Sequence, residues 1–202
     1  MIIATADPAL ASYVTGLHER LGPYYSPANF NTIGFLKSEP DIARIDRHYD
    51  NNDARIFRLR FQENEYLALK IHPDKWFAAG EIYGSEELIQ KINACDWIVD
   101  VYSTNRRELR PAVTDNSPAR SREDLSPARF SWEVTYGYLP GHDLKVALRT
   151  EITKKQSERL LTECIDEINK ADFLVVGSDS SDFILCEDGR LRLTDLNKLS
   201  RI

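Results

Sequence analysis

From Ala54 to Phe61 the side chains alternate, with Phe57, Leu59 and Phe61 at every second position and Arg58 and Arg60 between them. A period of two is that of a strand with one buried and one wet face. Ile42 to Tyr49 and Glu65 to His72 have the same strand character, and the polar stretches Asp50-Asn51-Asn52-Asp53 and Gln62-Glu63-Asn64 separate the three segments. Together they predict an antiparallel meander. Beyond His72-Pro73 the period lengthens: Ile82, Leu88, Ile89 and Ile92 predict an acidic helix within 75–94, followed by a short strand from Trp97 to Tyr102. A further strand is expected from Phe130 to Tyr138, stopped by Pro140-Gly141, with a brief helix from Asp143. Thr153 opens a longer helix through Asn169. Thr153 and Gln156 have the spacing of a capping box, and Leu161, Cys164, Ile165 and Ile168 recur at i, i+3, i+4 and i+7. Phe173 to Val176 reads as a buried strand, and Asp182 to Cys186 with Arg190 to Thr194 as a hairpin about Glu187-Asp188-Gly189.

Two stretches do not fit this alternation. Residues 1–31 combine a helical segment, Pro8 to Arg20, with Gly22, Pro23 and Pro27, and read as a docked extension carrying no evident chemistry. Residues 103–129 are polar and Arg-rich, punctuated by Pro111, Pro118 and Pro127, and repeat Ser-Pro-Ala-Arg at 117–120 and 126–129. They predict a flexible insertion. The chain's 202 residues suffice for one sizeable core or two small lobes. With 26 Lys+Arg against 32 Asp+Glu, the net charge of -6 makes nucleic acid an unexpected partner. No apolar run reaches the roughly 18 to 20 residues of a membrane span, and no secretory leader is evident. Cys95, Cys164 and Cys186 are widely spaced within apolar patterns, which predicts reduced core thiols and a cytoplasmic setting.

The usual nucleotide and hydrolase motifs are missing: no Gly-x-x-x-x-Gly-Lys, Gly-x-Gly-x-x-Gly, Gly-x-Ser-x-Gly or His-Glu-x-x-His occurs, and the four histidines are scattered. The order of elements is more informative. A third strand bearing Ala68-Leu69-Lys70, an acidic helix, two strands, a Pro-Gly crossover, a long helix and a hairpin ending in Thr194-Asp195-Leu196-Asn197 follow one another. The order resembles the protein kinase-like fold, over residues 42 to 202. This resemblance implies an α+β, two-lobed molecule with an antiparallel N-lobe sheet in 32–136, containing the 103–129 insertion, and a hinge with a sharply reduced C-lobe in 137–202. Such a reduced form is similar to the minimal kinases that some bacterial pathogens deliver into host cells, so a host cell is a second expected location.

On that resemblance Lys70 reaches the nucleotide phosphates, Ala68 packs beside adenine, and a helix glutamate pairs with Lys70. Glu86 has the best register, with Glu87 and Glu81 as alternatives. Gly137, Tyr138 and Leu139 correspond to the hinge whose backbone holds adenine. Asp195 matches the metal-binding aspartate, followed by Leu196 and Asn197 in place of phenylalanine and glycine. The catalytic loop His-Arg-Asp-x-x-x-x-Asn is replaced by Val176-Gly177-Ser178-Asp179-Ser180-Ser181-Asp182, about two residues shorter. Asp179 then stands as the base or hydroxyl-orienting residue and Asp182 at the metal-binding asparagine. The glycine loop has no counterpart either at Asp50-Asn51-Asn52-Asp53 or, in an alternative register, at Lys37-Ser38-Glu39-Pro40-Asp41. The implied activity is ATP- and Mg²⁺-dependent phosphoryl transfer to a protein Ser or Thr hydroxyl. An inactive pseudokinase that binds a protein partner is the alternative, and a small-molecule kinase a third.

Overall fold

A computed structural model of the chain describes residues 1–21, 42–47, 55–73, 81–109 and 129–202. The architecture is mixed α+β with antiparallel sheets, divided into two compact units. Met1–Lys75 and Tyr102–Thr135 form the first; Trp76–Val101 and Tyr136–Ile202 form the second. The segment expected to carry the helix glutamate therefore groups with the second unit.

The first unit is organised by a six-stranded sheet in the order β1-β5-β6-β4-β3-β2. Its strands are β1 (Ile2–Ile3), β2 (Ile42–Arg47), β3 (Arg55–Gln62), β4 (Glu65–Pro73), β5 (Val101–Leu109) and β6 (Arg129–Gly137). β2, β3 and β4 form the expected antiparallel meander, with Phe57 opposite Leu69 and Leu59 opposite Leu67. These residues face helix α1 (Pro8–Leu21). Asp7 starts α1, its carboxylate accepting the Ala9 amide at 2.8 Å, and Pro8 takes the first helical position, where a missing N–H costs nothing. Leu10, Val14, Leu17 and Leu21 share one helical face and pack on Phe57, Leu59, Leu67, Leu69 and Ile71. Burial of each such side chain contributes about 1.5–3 kcal/mol, which holds α1 on the sheet.

β5 is longer than the sequence pattern suggests. The strand expected at Trp97 to Tyr102 begins only at Val101 and continues to Leu109, so residues 103–109 are sheet and not insertion. Trp97 to Val99 instead run beside Leu193: Ile98 bridges it, the Val99 amide donates to its carbonyl, and its own amide donates to the Trp97 carbonyl. The rest of the insertion, 110–128, lies outside the described residues.

In the second unit the helix expected over 75–94 is interrupted. Residues 81–83 are helical, the chain turns at Gly84, and Ser85 caps a new helix, α2 (Glu86–Asn93), by accepting the Leu88 amide. Leu88, Ile89 and Ile92 are its buried stripe. The Asn93 side chain then imitates a strand, exchanging both hydrogen bonds with the Val101 backbone at 2.7 and 2.8 Å.

After Pro140 come β7 (Gly141–Asp143), α3 (Leu144–Thr150) and α4 (Lys154–Lys170). The Thr153–Gln156 capping box is present, and Cys164 and Ile168 are buried. β8 (Phe173–Val175) pairs with β11 (Leu199–Arg201). The hairpin of β9 (Phe183–Cys186) and β10 (Leu191–Leu193) is antiparallel as expected, and β7 adds to it as a third strand. Gly141 has φ 152°, and a Cβ there would lie 2.2 Å from the Leu185 carbonyl oxygen, so only glycine admits this β7–β9 approach.

Candidate functional site

Strand alternation sorts the residues of β4. Leu67, Leu69 and Ile71 lie under α1, which puts Ala68 and Lys70 on the opposite face, where Arg58 pairs with Ala68 and Ile56 with Lys70. Arg58 is only half-buried, its guanidinium 3.7 Å over the Tyr66 ring, whereas Arg60 is exposed. Lys70 is 3% exposed and Ala68 5%. An ammonium removed from water to this degree is costly unless counter-charged, so Lys70 is not a surface lysine whose stem merely lies along the sheet. Trp132 and Val134 of β6 share its side, because the intervening Glu133 and Thr135 point the other way, toward α1.

Glu86, Glu87 and Glu81 are all exposed and belong to the second unit, whereas Lys70 belongs to the first. Glu86 accepts a hydrogen bond from Gln90 one turn on, at 3.4 Å. Gly137 ends β6, its amide donating to the Asp100 carbonyl; Tyr138 and Leu139 follow outside regular secondary structure, half-buried. Both registers considered for the phosphate loop, 37–41 and 50–53, lie outside the described residues.

The acidic loop after β8 folds back on itself. Asp179 accepts the amide of Ser181 at 2.6 Å and also its hydroxyl, a closed turn that holds its exposed carboxyl below the usual range. An aspartate held ionised in this way suits orienting a hydroxyl better than removing a proton from one. Asp182 is different: its side chain is buried, accepting the Asp179 amide at 2.7 Å, while its carbonyl takes both the amide and hydroxyl of Thr194. Burial first, and then the charge of Asp195, push the Asp182 carboxyl up, against the opposing pull of the Asp179 amide and Lys198.

Asp195 caps a short 3₁₀ turn, Leu196–Lys198, through its Oδ1, which accepts the Asn197 amide at 3.1 Å. Asn197 in turn accepts the Tyr83 hydroxyl. Its right-handed turn asks for none of the freedom that a glycine provides. The sequence of β9, turn and β10 thus brings Asp182 and Asp195 close enough for their charges to oppose each other. Two such carboxylates are a hard oxygen donor set that fits Mg²⁺, which is held by one or two carboxylates with substrate phosphates and water completing its shell. Among the described residues no group of three His, Cys, Asp or Glu side chains is gathered to hold a metal. No protein-family model matches the chain, and no curated protein matches its sequence.

A second polar constellation lies in the first unit. His18 of α1 contacts Glu133 Oε2 through Nδ1 at 2.6 Å and Ser103 Oγ through Nε2 at 2.7 Å. Ser103 continues to the Thr135 hydroxyl. Arg107 donates from Nε to Glu133 Oε1 and from Nη2 to the His18 carbonyl, and Asn105 donates to Glu133 Oε2. Burial opposes ionisation of Glu133, yet the hydrogen bonds from His18, Arg107 and Asn105 outweigh it and hold this carboxyl below its ordinary range. The connectivity Ser–His–Glu is that of a hydrolytic relay, but Ser103, His18 and Glu133 are 0%, 2% and 0% exposed, so no substrate reaches the hydroxyl. The cluster is a polar dock for α1. The period-two placement of Ser103, Asn105 and Arg107 was its one sequence signal.

Proposed function

We propose that the chain is an ATP- and Mg²⁺-dependent phosphotransferase of the protein kinase-like type, acting on a Ser or Thr hydroxyl of a protein. The observation that carries this reading is Lys70, buried beside Ala68 on the sheet face that α1 does not cover. A buried strand lysine two residues after a small alanine is the arrangement with which the kinase-like fold meets nucleotide phosphates.

In this reading Lys70 binds phosphate oxygens. The backbone at Gly137, Tyr138 and Leu139 supplies hydrogen bonds to adenine, and Ala68 is the small residue expected beside the ring. Asp195 and Asp182 hold Mg²⁺, which supplies neutralisation of the phosphate charge when bound. Asp179 orients the accepting hydroxyl. The buried, unpaired cysteines agree with action inside a cell, either in a bacterial cytoplasm or in a host. No described helix is long and apolar enough to cross a membrane.

The second reading, a pseudokinase that binds a protein partner without transferring phosphate, draws support from Asp179 and Asp195, each of which commits a carboxylate oxygen to a local turn. Titration of the protein's melting temperature with ATP and Mg²⁺ tests the nucleotide site. A ligand at 100 times its dissociation constant adds roughly 2.7 kcal/mol to stability. Lys70→Met should remove that gain. A flat response of the wild type would end the phosphotransferase reading and leave the partner-binding one.

A further inference from the structure

Asp182 stands where a kinase-like site has a neutral asparagine, and a carboxylate there brings an extra negative charge toward phosphates. The chain holds a cation against this charge. Lys198 Nζ lies 3.8 Å from Asp182 Oδ2 and donates to the Gly177 carbonyl at 3.0 Å, so two anchors at the ends of one short loop fix its position. Lys198 itself is held by the 3₁₀ turn that Asp195 caps, its amide donating to the Asp195 carbonyl and its carbonyl accepting the Val176 amide at 2.7 Å. The side chain of Asp182 is 6% exposed and that of Lys198 29%, so the pair sits at the edge of the loop with the lysine outermost. Salt screens such a half-buried pair less than one in open water.

Resting on the phosphotransferase reading above, we propose that Lys198 is a positioning residue for the nucleotide: it cancels the charge of Asp182, so that this carboxylate can donate oxygen to Mg²⁺ without repelling the phosphates. Together the two side chains carry the net charge of the neutral amide they replace. The neighbouring charges are the carboxylates of Asp179 and Asp195 and the ammonium of Lys145, which also acts on Asp179. Removal of Lys198 leaves the Asp182 carboxylate uncompensated beside those of Asp179 and Asp195, whereas removal of Asp182 makes Lys198 dispensable.

The test is a double-mutant cycle read by calorimetric binding of Mg²⁺·ADP, with melting temperatures measured alongside. Lys198→Met should weaken binding about tenfold in the wild-type background and less than twofold in Asp182→Asn, a coupling within the usual range for contacting charges. Lys198→Arg should keep wild-type affinity. An equal loss in both backgrounds would overturn the proposal, because Lys198 would then act alone, as a phosphate ligand or as a clamp on Gly177. A clamp would also lower the melting temperature equally with and without Asp182. Wild-type protein that binds no Mg²⁺·ADP would overturn the phosphotransferase reading and this inference together, whereas an additive cycle on a nucleotide-binding protein overturns this inference alone.

Discussion

The carboxylate of Asp195 has two duties, capping the 3₁₀ turn through Oδ1 and, on the proposed function, holding Mg²⁺. The two separate cleanly by substitution. Asparagine caps about as well as aspartate, so Asp195→Asn should leave the stability unchanged to within about 0.5 kcal/mol. The lost anionic ligand should lower phosphotransfer by roughly 100-fold or more, since metal-borne charge stabilisation is worth several kcal/mol. Radiolabel transfer by the two proteins, normalised to folded material, decides it; equal transfer would leave Asp195 with the cap alone. At Gly141 the prediction concerns stability. Gly141→Ala drives a Cβ into the Leu185 carbonyl and forces alanine to φ 152°, so it should cost about 1–3 kcal/mol or more in denaturant unfolding. A neutral result would mean that the β7–β9 contact relaxes freely.

At the scale of elements, α1 and the six-stranded sheet are joined by two unlike contacts. One is the apolar stripe of Leu10, Val14, Leu17 and Leu21; the other is the buried His18–Glu133–Arg107 cluster. Truncation of Glu133 to alanine strands a half-buried arginine and a buried histidine, and should cost about 3–5 kcal/mol. The gentler Glu133→Gln variant reports the charge by itself. Because the folded protein holds this carboxyl below its ordinary range, its contribution is fully present above the unfolded glutamate value of about 4.3 and is lost as pH falls through the lower folded value. The stability difference between wild type and Glu133→Gln should therefore be constant down to about pH 4.3 and shrink below it. Urea unfolding from pH 3 to pH 7 measures this, and a difference that persists unchanged to the lowest pH would assign the effect to packing.

For the whole molecule, the decisive measurement is the response to Mg²⁺·ATP, because each unit carries residues assigned to nucleotide binding. Lys70 and Ala68 come from the first, and Gly137, Tyr138, Leu139, Asp179, Asp182 and Asp195 from the second. Lys70→Met and Asp195→Asn should therefore each diminish the Mg²⁺·ATP stabilisation while neither alters the sheet or the hairpin. Loss of stabilisation in Lys70→Met alone would keep a nucleotide site and remove the metal role of Asp195. The net charge of -6 makes the same titration sensitive to salt, so it is to be run at one fixed ionic strength.

The elements with one clear apolar period could be read directly: the meander by its alternation, α4 by its capping box and i, i+3, i+4 stripe, and the β9–β10 hairpin by Glu187-Asp188-Gly189. Local hydrogen bonding and side-chain period act within a few residues, and those are visible in sequence. The break at Gly84-Ser85 also had a local signal, but a continuous helical period across it outweighed the capping serine. β5 was shortened because its buried positions, Ser103 and Thr104, are polar, and polarity reads as loop until the partners are known. Those partners, His18 and Thr135 for Ser103, come from α1 and β6, far along the chain, and only folding brings them together. Tertiary structure likewise set the Lys198–Asp182 pair, which depends on a loop and a turn meeting around the hairpin. Sequence by itself determined which segments were strand or helix wherever apolar burial drove them; the buried polar contacts were decided in three dimensions, because a charged or hydroxyl side chain can be buried only where a distant partner satisfies it.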